Sequence, residues 1–232
     1  MSHITDNLQA VHAAIVAAAR NAGRDPTEIA LLAVSKTFGA EAVLEAAAAG
    51  QRAFGENYLQ EALDKMAALR ERAPRLEWHF IGPIQSNKTR PIAQHFAWVH
   101  SVDRLKIAQR LSEQRPPDLP PLNICLQVNI SGEASKSGAA PRDVPALAQA
   151  VAALPRLKLR GLMAIPEPAA DEAAQRRPLR ELRLLAERLR AGGLALDTLS
   201  MGMSADLSAA IAEGSTMVRI GTAIFGKRDY AK

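Results

Sequence analysis

The sequence has few of the residues that mark several common protein classes. Cys125 is the only cysteine among 232 residues, so no intramolecular disulfide can form and a reducing compartment is the simpler expectation. Aromatic residues make up only 4%, and the basic residues are scattered among acidic ones although the net charge is +5. Neither a stacking platform nor a basic stripe for nucleic acid is therefore predicted.

Long hydrophobic runs are also missing. No stretch approaches the roughly 18 uninterrupted apolar residues of a membrane span, and Met1 to Asp6 lack the basic and apolar regions of a signal peptide. We therefore expect a cytoplasmic protein that binds neither a membrane nor nucleic acid. No heptad or exposed apolar stripe predicts a dimer, so a monomer is expected.

Sequence motifs for several reactions are absent. No histidine pair has HExxH spacing and Cys125 has no cysteine partner, so no metal is predicted. Ser101, His79 and Asp103 could be combined into a triad, but no GxSxG segment supports one. No GxGxxG loop follows a predicted strand, which disfavours a dinucleotide-binding sheet.

The sequence does contain a recurring order of apolar run and amphipathic segment. A leading helix is predicted by helical spacing between Ile4 and Ile15, and Gly23 and Pro26 end it. Eight apolar runs then predict strands at Glu28 to Ser35, Gln51 to Gly55, Glu77 to Ile81, Ala97 to Ser101, Leu122 to Ile130, Lys158 to Ala164, Leu196 to Met201 and Thr216 to Ile220.

Helices are expected between and after these strands, near Ala40 to Ala49, Tyr58 to Arg72, Lys88 to His95, Asp103 to Glu113, Val144 to Ala153, Asp171 to Ala191 and Ala205 to Glu213. This alternation predicts an α/β fold, a single (β/α)₈ TIM barrel with an extra N-terminal helix, over residues 1–232 as one domain. An open doubly wound sheet is the alternative.

Polar and glycine-rich residues follow the predicted strands at their C-terminal ends, where barrel enzymes carry their chemistry. Lys36 follows the first strand and would project over the barrel mouth from a rigid support. An amine among low-dielectric walls loses its proton more readily and can form a Schiff base with a carbonyl. A lysine at a strand end is equally compatible with an ordinary exposed residue, so its neighbours must decide.

The loops after strands seven and eight have the composition of phosphate-binding loops. Ser204 is expected at a helix N-cap, and Gly221 and Thr222 supply a turn glycine and a hydroxyl. The same residues are compatible with a plain cap and a plain turn.

Arg219 interrupts the last apolar strand and, by strand alternation, shares a face with Met217 and Gly221. A buried guanidinium needs a partner. That partner is either a carboxylate in a structural salt bridge or a bound anion or heteroatom inside the barrel.

Six segments, in this order and spread over nearly the whole chain, carry a family resemblance: AVSKT (33–37), FGENY (54–58), WHFIGPIQSNK (78–88), GLMAIP (161–166), SMGMS (200–204) and RIGTAIFG (219–226). The sequence resembles the pyridoxal phosphate homeostasis proteins, the YggS/PROSC family. That resemblance implies a fold like the barrel domain of alanine racemase, with pyridoxal 5′-phosphate (PLP) held as a Schiff base on Lys36.

The resemblance also assigns roles to other residues of the site. It implies Asn57 beside the cofactor ring, Arg219 facing the pyridine nitrogen, Met203 lining the pocket, Ser204, Gly221 and Thr222 on the phosphate, and a part for Lys136 in cofactor transfer. Phe38 departs from the family pattern, where many relatives have a lysine, so no accessory lysine beside Lys36 is expected.

The function implied is PLP homeostasis, by buffering the cofactor or delivering it to apo forms of PLP-dependent enzymes. Racemisation needs an acid or base on each face of the substrate. In alanine racemase the second of these groups is a tyrosine that is reached through an additional domain. This sequence stops at Lys232 and has only Tyr58 and Tyr230, so we expect that domain to be missing and turnover to be insubstantial.

Two alternatives stay open. The first is a PLP-dependent amino-acid racemase of low activity. The second is a phosphosugar-type barrel that binds an anion without forming a Schiff base.

Overall fold

The computed structural model describes residues 3–132 and 137–227. Eight strands alternate with helices along the described chain, and the elements in order are α1 His3–Asn21, β1 Ala30–Val34, α2 Ala40–Ala48, β2 Ala53–Glu56, α3 Leu59–Leu69, β3 Glu77–Phe80, α4 Thr89–His95, β4 Trp98–Val102, α5 Leu105–Gln114, β5 Leu122–Gln127, α6 Val144–Ala152, β6 Leu157–Met163, α7 Glu172–Ala191, β7 Thr198–Ser200, α8 Leu207–Ala212, β8 Met217–Ile220 and α9 Thr222–Phe225.

The eight parallel strands close into a barrel in sequence order. Closure occurs where β1 pairs with β8, with Leu32 opposite Arg219 and Ala33 opposite Ile220. The predicted barrel with its leading helix is therefore confirmed, and the open doubly wound alternative is wrong, because an open sheet would leave β1 and β8 unpaired at two edges.

The structure corrects some predicted element bounds. Strand five ends at Gln127 rather than at Ile130, because Val128 leaves the ladder and forms an isolated bridge with Ala139. The four-residue helix α9 was missed, since an apolar segment this short gives no measurable helical period.

Two groups of apolar side chains form the core. The larger one fills the space between the helices and the outside of the barrel, and the smaller one lies inside it, formed by Leu32, Val34, Ile81, Trp98, Cys125, Met163 and Met217. Cys125 is fully buried, and burial raises the pKa of its thiol to about 12, as expected of a small core residue.

Helix α1 covers the outer surface near the barrel closure, where it packs against α2, α8 and α9. The Asn7 side chain donates to the carbonyl of Ile224 at 2.9 Å. Shortly after the helix, Arg24 donates to the carbonyls of Ile211 and Ser215. No helix in the two described ranges has both the length and the apolar character needed to cross a bilayer.

Candidate functional site

Lys36 lies directly after β1 at the barrel mouth and is half-buried. The strand end is anchored to β2, where the Ser35 amide donates to the carbonyl of Gly55 at 3.1 Å. The chain then turns sharply, because Phe38 N–H returns to the Ser35 carbonyl and Thr37 has a positive φ of 70°. This turn sets the direction in which the Lys36 side chain leaves the strand.

Phe38, which departs from the family pattern, packs against an aromatic ring. Its ring stacks on that of Phe225 in α9, with centroids 5.2 Å apart. This contact gives the residue a packing role at the junction of β1 with the last helix.

A charged cluster, formed by the buried Glu56 and Lys65 and the half-buried Glu61, supports the Lys36 turn. The ammonium of Lys65 lies 2.8 Å from a Glu56 carboxylate oxygen and 2.6 Å from one of Glu61, and it donates to the Ser35 carbonyl at 2.7 Å. The same Glu61 oxygen accepts from the Thr37 amide at 2.6 Å. The residues on both sides of Lys36 are therefore bonded to this cluster.

Glu56 is fully buried, and burial raises the pKa of its carboxyl although Lys65 and Ser35 oppose that change. Sequence reasoning missed Lys65. The available signal was its place on α3, three residues after Ala62 and four before Leu69, because both neighbours lie on the buried face.

Arg219 is 4% exposed and points into the barrel. Its Nη1 donates to Ser200 Oγ at 2.9 Å and its Nη2 to the Ala164 carbonyl at 3.0 Å. Within residues 3–132 and 137–227, no carboxylate lies within ion-pair distance of this guanidinium. The structural salt bridge considered from the sequence is therefore absent from the described chain, and the alternation that placed Arg219 beside Met217 is confirmed.

Burial lowers the pKa of Arg219 to about 10. The group therefore stays protonated at neutral pH and can only donate hydrogen bonds.

The loop after β7 is bonded to strand β8 at Arg219. The Arg219 backbone amide donates to the carbonyl of Gly202 at 2.9 Å, and Gly202 has a φ of 99° with no room for a Cβ, which would lie 2.5 Å from that of Ala210. Gly221 is buried before α9, and Thr222 is exposed at its start. The predicted phosphate residues thus occupy adjacent loops at one side of the mouth.

The predicted N-cap at Ser204 is wrong. Helix α8 begins at Leu207 with Asp206 in the capping position, and Ser204 lies exposed in the preceding turn. Asp206 Oδ1 accepts from the Met203 amide at 2.6 Å. This bond closes a turn that contains Ser204, so the helix begins after the turn. Met203 is 37% exposed at the mouth.

Asn57 follows β2 on another side of the mouth. Its Oδ1 is buried and has no hydrogen-bond partner among the described residues. The residue borders a cavity of about 300 Å³ that also reaches Ile81, Gln127 and Ile165. A buried amide oxygen without a partner is costly, so this atom is suited to meet a bound ligand.

Lys136, predicted to help in transfer, lies outside the described residues. The Ser/His/Asp combination does not assemble, because Ser101 donates to the Gly82 carbonyl while His79 contacts His100 and Glu77. No group of three or more metal-binding side chains occurs within the described part of the chain.

Two buried histidines lie inside the barrel and were not assigned a role from the sequence. His79 Nδ1 is 2.8 Å from His100 Nε2, His79 Nε2 is 2.9 Å from Glu77 Oε1, and His100 Nδ1 is 2.8 Å from Ser200 Oγ. Burial lowers the pKa of both imidazoles, that of His100 the more strongly. Both rings are therefore neutral at pH 7.

We expect this pair to make the folded chain less stable in mild acid. In the unfolded chain both histidines protonate near pH 6.5, whereas in the fold their pKa values are lowered. Their contribution is thus fully present above about pH 6.5 and lost as pH falls, by at most about 1.4 kcal/mol per pH unit for each ring. The pKa of Glu77 is lowered by its bond to His79, so protonation of this carboxylate also reduces the stability of the fold, at lower pH.

Urea unfolding at pH 7, 6 and 5 measures this effect. Glu56, with its raised pKa, makes the fold more stable as pH falls and so partly masks the effect of the histidines. The histidine effect is therefore isolated by comparing wild type with His100→Gln. The variant should show a smaller loss on acidification, while the exposed His12→Gln should keep the wild-type slope. Identical slopes in all three proteins would contradict the assignment.

Comparison with known proteins agrees with this geometry. Residues 7–229 match the family described as alanine racemase, N-terminal domain. The chain is 69% identical over 230 residues to the pyridoxal phosphate homeostasis protein of Pseudomonas aeruginosa, covering 99% of this chain and 98% of the relative. It is 56% identical over 233 residues to the protein of the same name from Escherichia coli K12, covering 100% of both.

Solved structures show the same fold. PipY of Synechococcus elongatus, solved with PLP bound, superimposes with a TM-score of 0.84 at 37% identity, covering 96% of this chain and 100% of PipY. Alanine racemase from Corynebacterium glutamicum has a TM-score of 0.67 at 21% identity, with 62% of its chain covered, and shares the fold. With its closed barrel, its match to the alanine racemase N-terminal domain and its high identity to named relatives, the chain belongs to the pyridoxal phosphate homeostasis protein family.

Proposed function

We propose that this protein binds PLP for intracellular PLP homeostasis and holds it as a Schiff base on Lys36. The observation that carries the proposal is the pairing of β1 with β8, which places the strand that leads into Lys36 beside the strand of Arg219, whose buried guanidinium has no carboxylate partner in the described chain. In this arrangement Arg219 faces the pyridine nitrogen. Ser204, Gly221 and Thr222 take the phosphate, while Asn57 and Met203 lie beside the ring.

The residues present fit such a cofactor. PLP has a ring hydroxyl that can donate a hydrogen bond to the buried Asn57 Oδ1, and an unprotonated ring nitrogen that can accept one from Arg219. Gly221, buried at the N-cap of α9, has no side chain to block close backbone approach on the phosphate side. The relatives named for PLP homeostasis and the PLP-bound PipY support the same ligand.

We further propose that the protein buffers or delivers PLP without substantial turnover. When bound, PLP supplies an electron sink through its ring, and that sink is strong only when the pyridine nitrogen is protonated. A guanidinium at this nitrogen donates and never accepts, so Arg219 keeps the nitrogen unprotonated. Of the tyrosines, Tyr58 is 54% exposed at the start of α3, which leaves it unsuited to act as a buried acid or base.

The proposal includes three further points: the protein is cytoplasmic, it is a monomer, and it delivers PLP to apo forms of PLP-dependent enzymes. The single, buried and poorly ionised Cys125 supports a reducing compartment. A transfer assay to a PLP-free acceptor enzyme, with a trap for free PLP, tests the last point. Direct delivery predicts equal activation with and without the trap, and complete loss of activation in its presence would mean release into solution.

Covalent attachment is expected at Lys36 alone. The purified protein is incubated with PLP, reduced with borohydride and mapped by peptide mass spectrometry, which should find the pyridoxyl label on Lys36. Lys36→Ala should lose the label, whereas Lys88→Ala, which removes an exposed lysine bordering the mouth, should retain it.

The outcomes separate the three candidate functions. A label absent from Lys36 in wild type would refute both PLP hypotheses and favour the anion-binding barrel. Racemised product from L-alanine that disappears in Lys36→Ala would favour the racemase. A label on Lys36 without turnover supports the binding protein.

A further inference from the structure

A row of polar side chains crosses the barrel interior from Glu77 to Arg219. Glu77 and His79 belong to β3, His100 to β4, and Ser200 to β7. Each member is within 2.9 Å of the next. Four of these five residues are less than 5% exposed, and Glu77 alone reaches the surface, at the N-terminal end of its strand.

The two ends of this row determine the direction of every hydrogen bond in it. An ionised Glu77 can only accept, so His79 must carry its proton on Nε2, and its bare Nδ1 must accept from His100 Nε2–H. From the other end, Arg219 can only donate to Ser200 Oγ. The Ser200 proton is then free to be given to the bare Nδ1 of His100.

Both deductions require the same tautomer for His100, neutral with its proton on Nε2. Burial, which lowers the pKa of both rings, also favours the neutral form. The row is therefore satisfied throughout, and every proton in it points away from Arg219 and toward Glu77.

We propose that His79, His100 and Ser200 are positioning residues that hold the Arg219 guanidinium for the cofactor ring through this one-directional chain. The inference rests on the proposed function, in which Arg219 faces the pyridine nitrogen. Arg219 has only two hydrogen bonds from its guanidinium among the described residues, to Ser200 and to the Ala164 carbonyl. The orientation of Ser200 therefore fixes one of the two contacts that orient the group.

The tautomer of His100 controls that contact. If its proton moved to Nδ1, Ser200 would face two donors and its own proton would have no acceptor in the row, which weakens the acceptor that Arg219 uses. Three other ionisable groups of the described chain act on the row or lie near it. The charge of Asp206 opposes the lowering of the Arg219 pKa, and that of Arg160 helps to lower the Glu77 pKa. Cys125 on β5 is uncharged, and Arg160 on β6 lies over the Trp98 ring, 4.5 Å from its centroid.

The first test needs no cofactor. Long-range proton–nitrogen NMR spectra of the PLP-free protein, labelled with ¹⁵N in histidine, distinguish the two neutral tautomers and the cation. His79 and His100 should both appear as neutral Nε2–H rings at pH 7. An Nδ1–H tautomer or a cation at either position would overturn the inference, whatever the protein binds.

The second test is Ser200→Ala, which deletes the link between Arg219 and His100 and changes the volume little. We expect PLP to bind about tenfold more weakly, the size expected for loss of a hydrogen bond to a charged group, and the absorption maximum of the bound cofactor to shift. Ser112→Ala is the matched control, because Ser112 is also buried and, among the described residues, donates to the Pro155 carbonyl in the outer layer.

These outcomes distinguish the inference from the proposed function. If the wild-type protein does not bind PLP, the proposed function is refuted. The role of the hydrogen-bonded row in positioning Arg219 for the cofactor is then refuted with it. Unchanged affinity and spectrum in a folded Ser200→Ala refute positioning alone. A shift confined to Ser200→Ala and absent from Ser112→Ala supports it.

Discussion

Lys65→Met is expected to lower the free energy of unfolding by about 3 to 5 kcal/mol, the cost of leaving one charge of a buried pair without its partner. Glu56 would keep one oxygen bonded only to Ser35, and its other oxygen already lacks a partner in the described chain. The same change removes the bond from Lys65 to the Ser35 carbonyl. PLP binding should therefore weaken as well, because the Lys36 turn loses a support.

Urea unfolding with the PLP-free protein measures the stability effect. Lys106→Met is the matched control, since Lys106 lies exposed on helix α5, and it should unfold close to wild type. Adding Glu56→Gln to Lys65→Met should recover part of the loss, because the buried charge is then gone. A single variant as stable as wild type would show that the charged cluster does not support the turn.

Gly82→Ala is expected to destabilise the mouth of the barrel and to impair PLP binding. A Cβ at Gly82 would lie 2.2 Å from the carbonyl oxygen of Asn57 and 2.8 Å from its Cα. Backbone atoms cannot rotate away as a side chain can, so the Asn57 loop must shift. Such overpacking typically costs about 1 to 3 kcal/mol, and the shift displaces the amide that we place beside the cofactor ring.

Gly39→Ala provides the control for this substitution. Gly39 precedes helix α2 with a φ of −74°, and a Cβ there would meet no atom within 4 Å. Its stability and PLP affinity should stay near those of wild type. The clash argument fails if Gly82→Ala and Gly39→Ala cannot be distinguished by equilibrium unfolding and by PLP titration.

Sequence patterns were sufficient to predict the architecture, and they indicated two residues of the proposed site. Alternating apolar runs and amphipathic helices predicted all eight strands, because each β/α unit must bury one face of its helix against the sheet. Lys36 was identified by its place after an apolar strand, and Arg219 by interrupting one. Both are local features that a period-two pattern displays.

The supporting residues were not visible in the same way. The prediction of Ser204 as a cap failed because Asp206, two residues later, binds the Met203 amide and moves the start of the helix. In the sequence Lys65 is indistinguishable from an ordinary helical lysine. Its contacts form only where β1, β2 and α3 pack together. Its role depends on contacts across 9 and 30 residues of sequence.

The sequence by itself determined the β/α order, the face of the last strand that carries Arg219 and the family resemblance, because these depend on local periodicity and on short segments. Only the tertiary structure decided that the barrel closes between β1 and β8. It determined that Arg219 bonds to Ser200, and not to a carboxylate, in the described chain. It also decided that His79 and His100 meet inside the barrel. Hydrogen-bond direction across four strands depends on distances between residues far apart in the chain, which no linear pattern records.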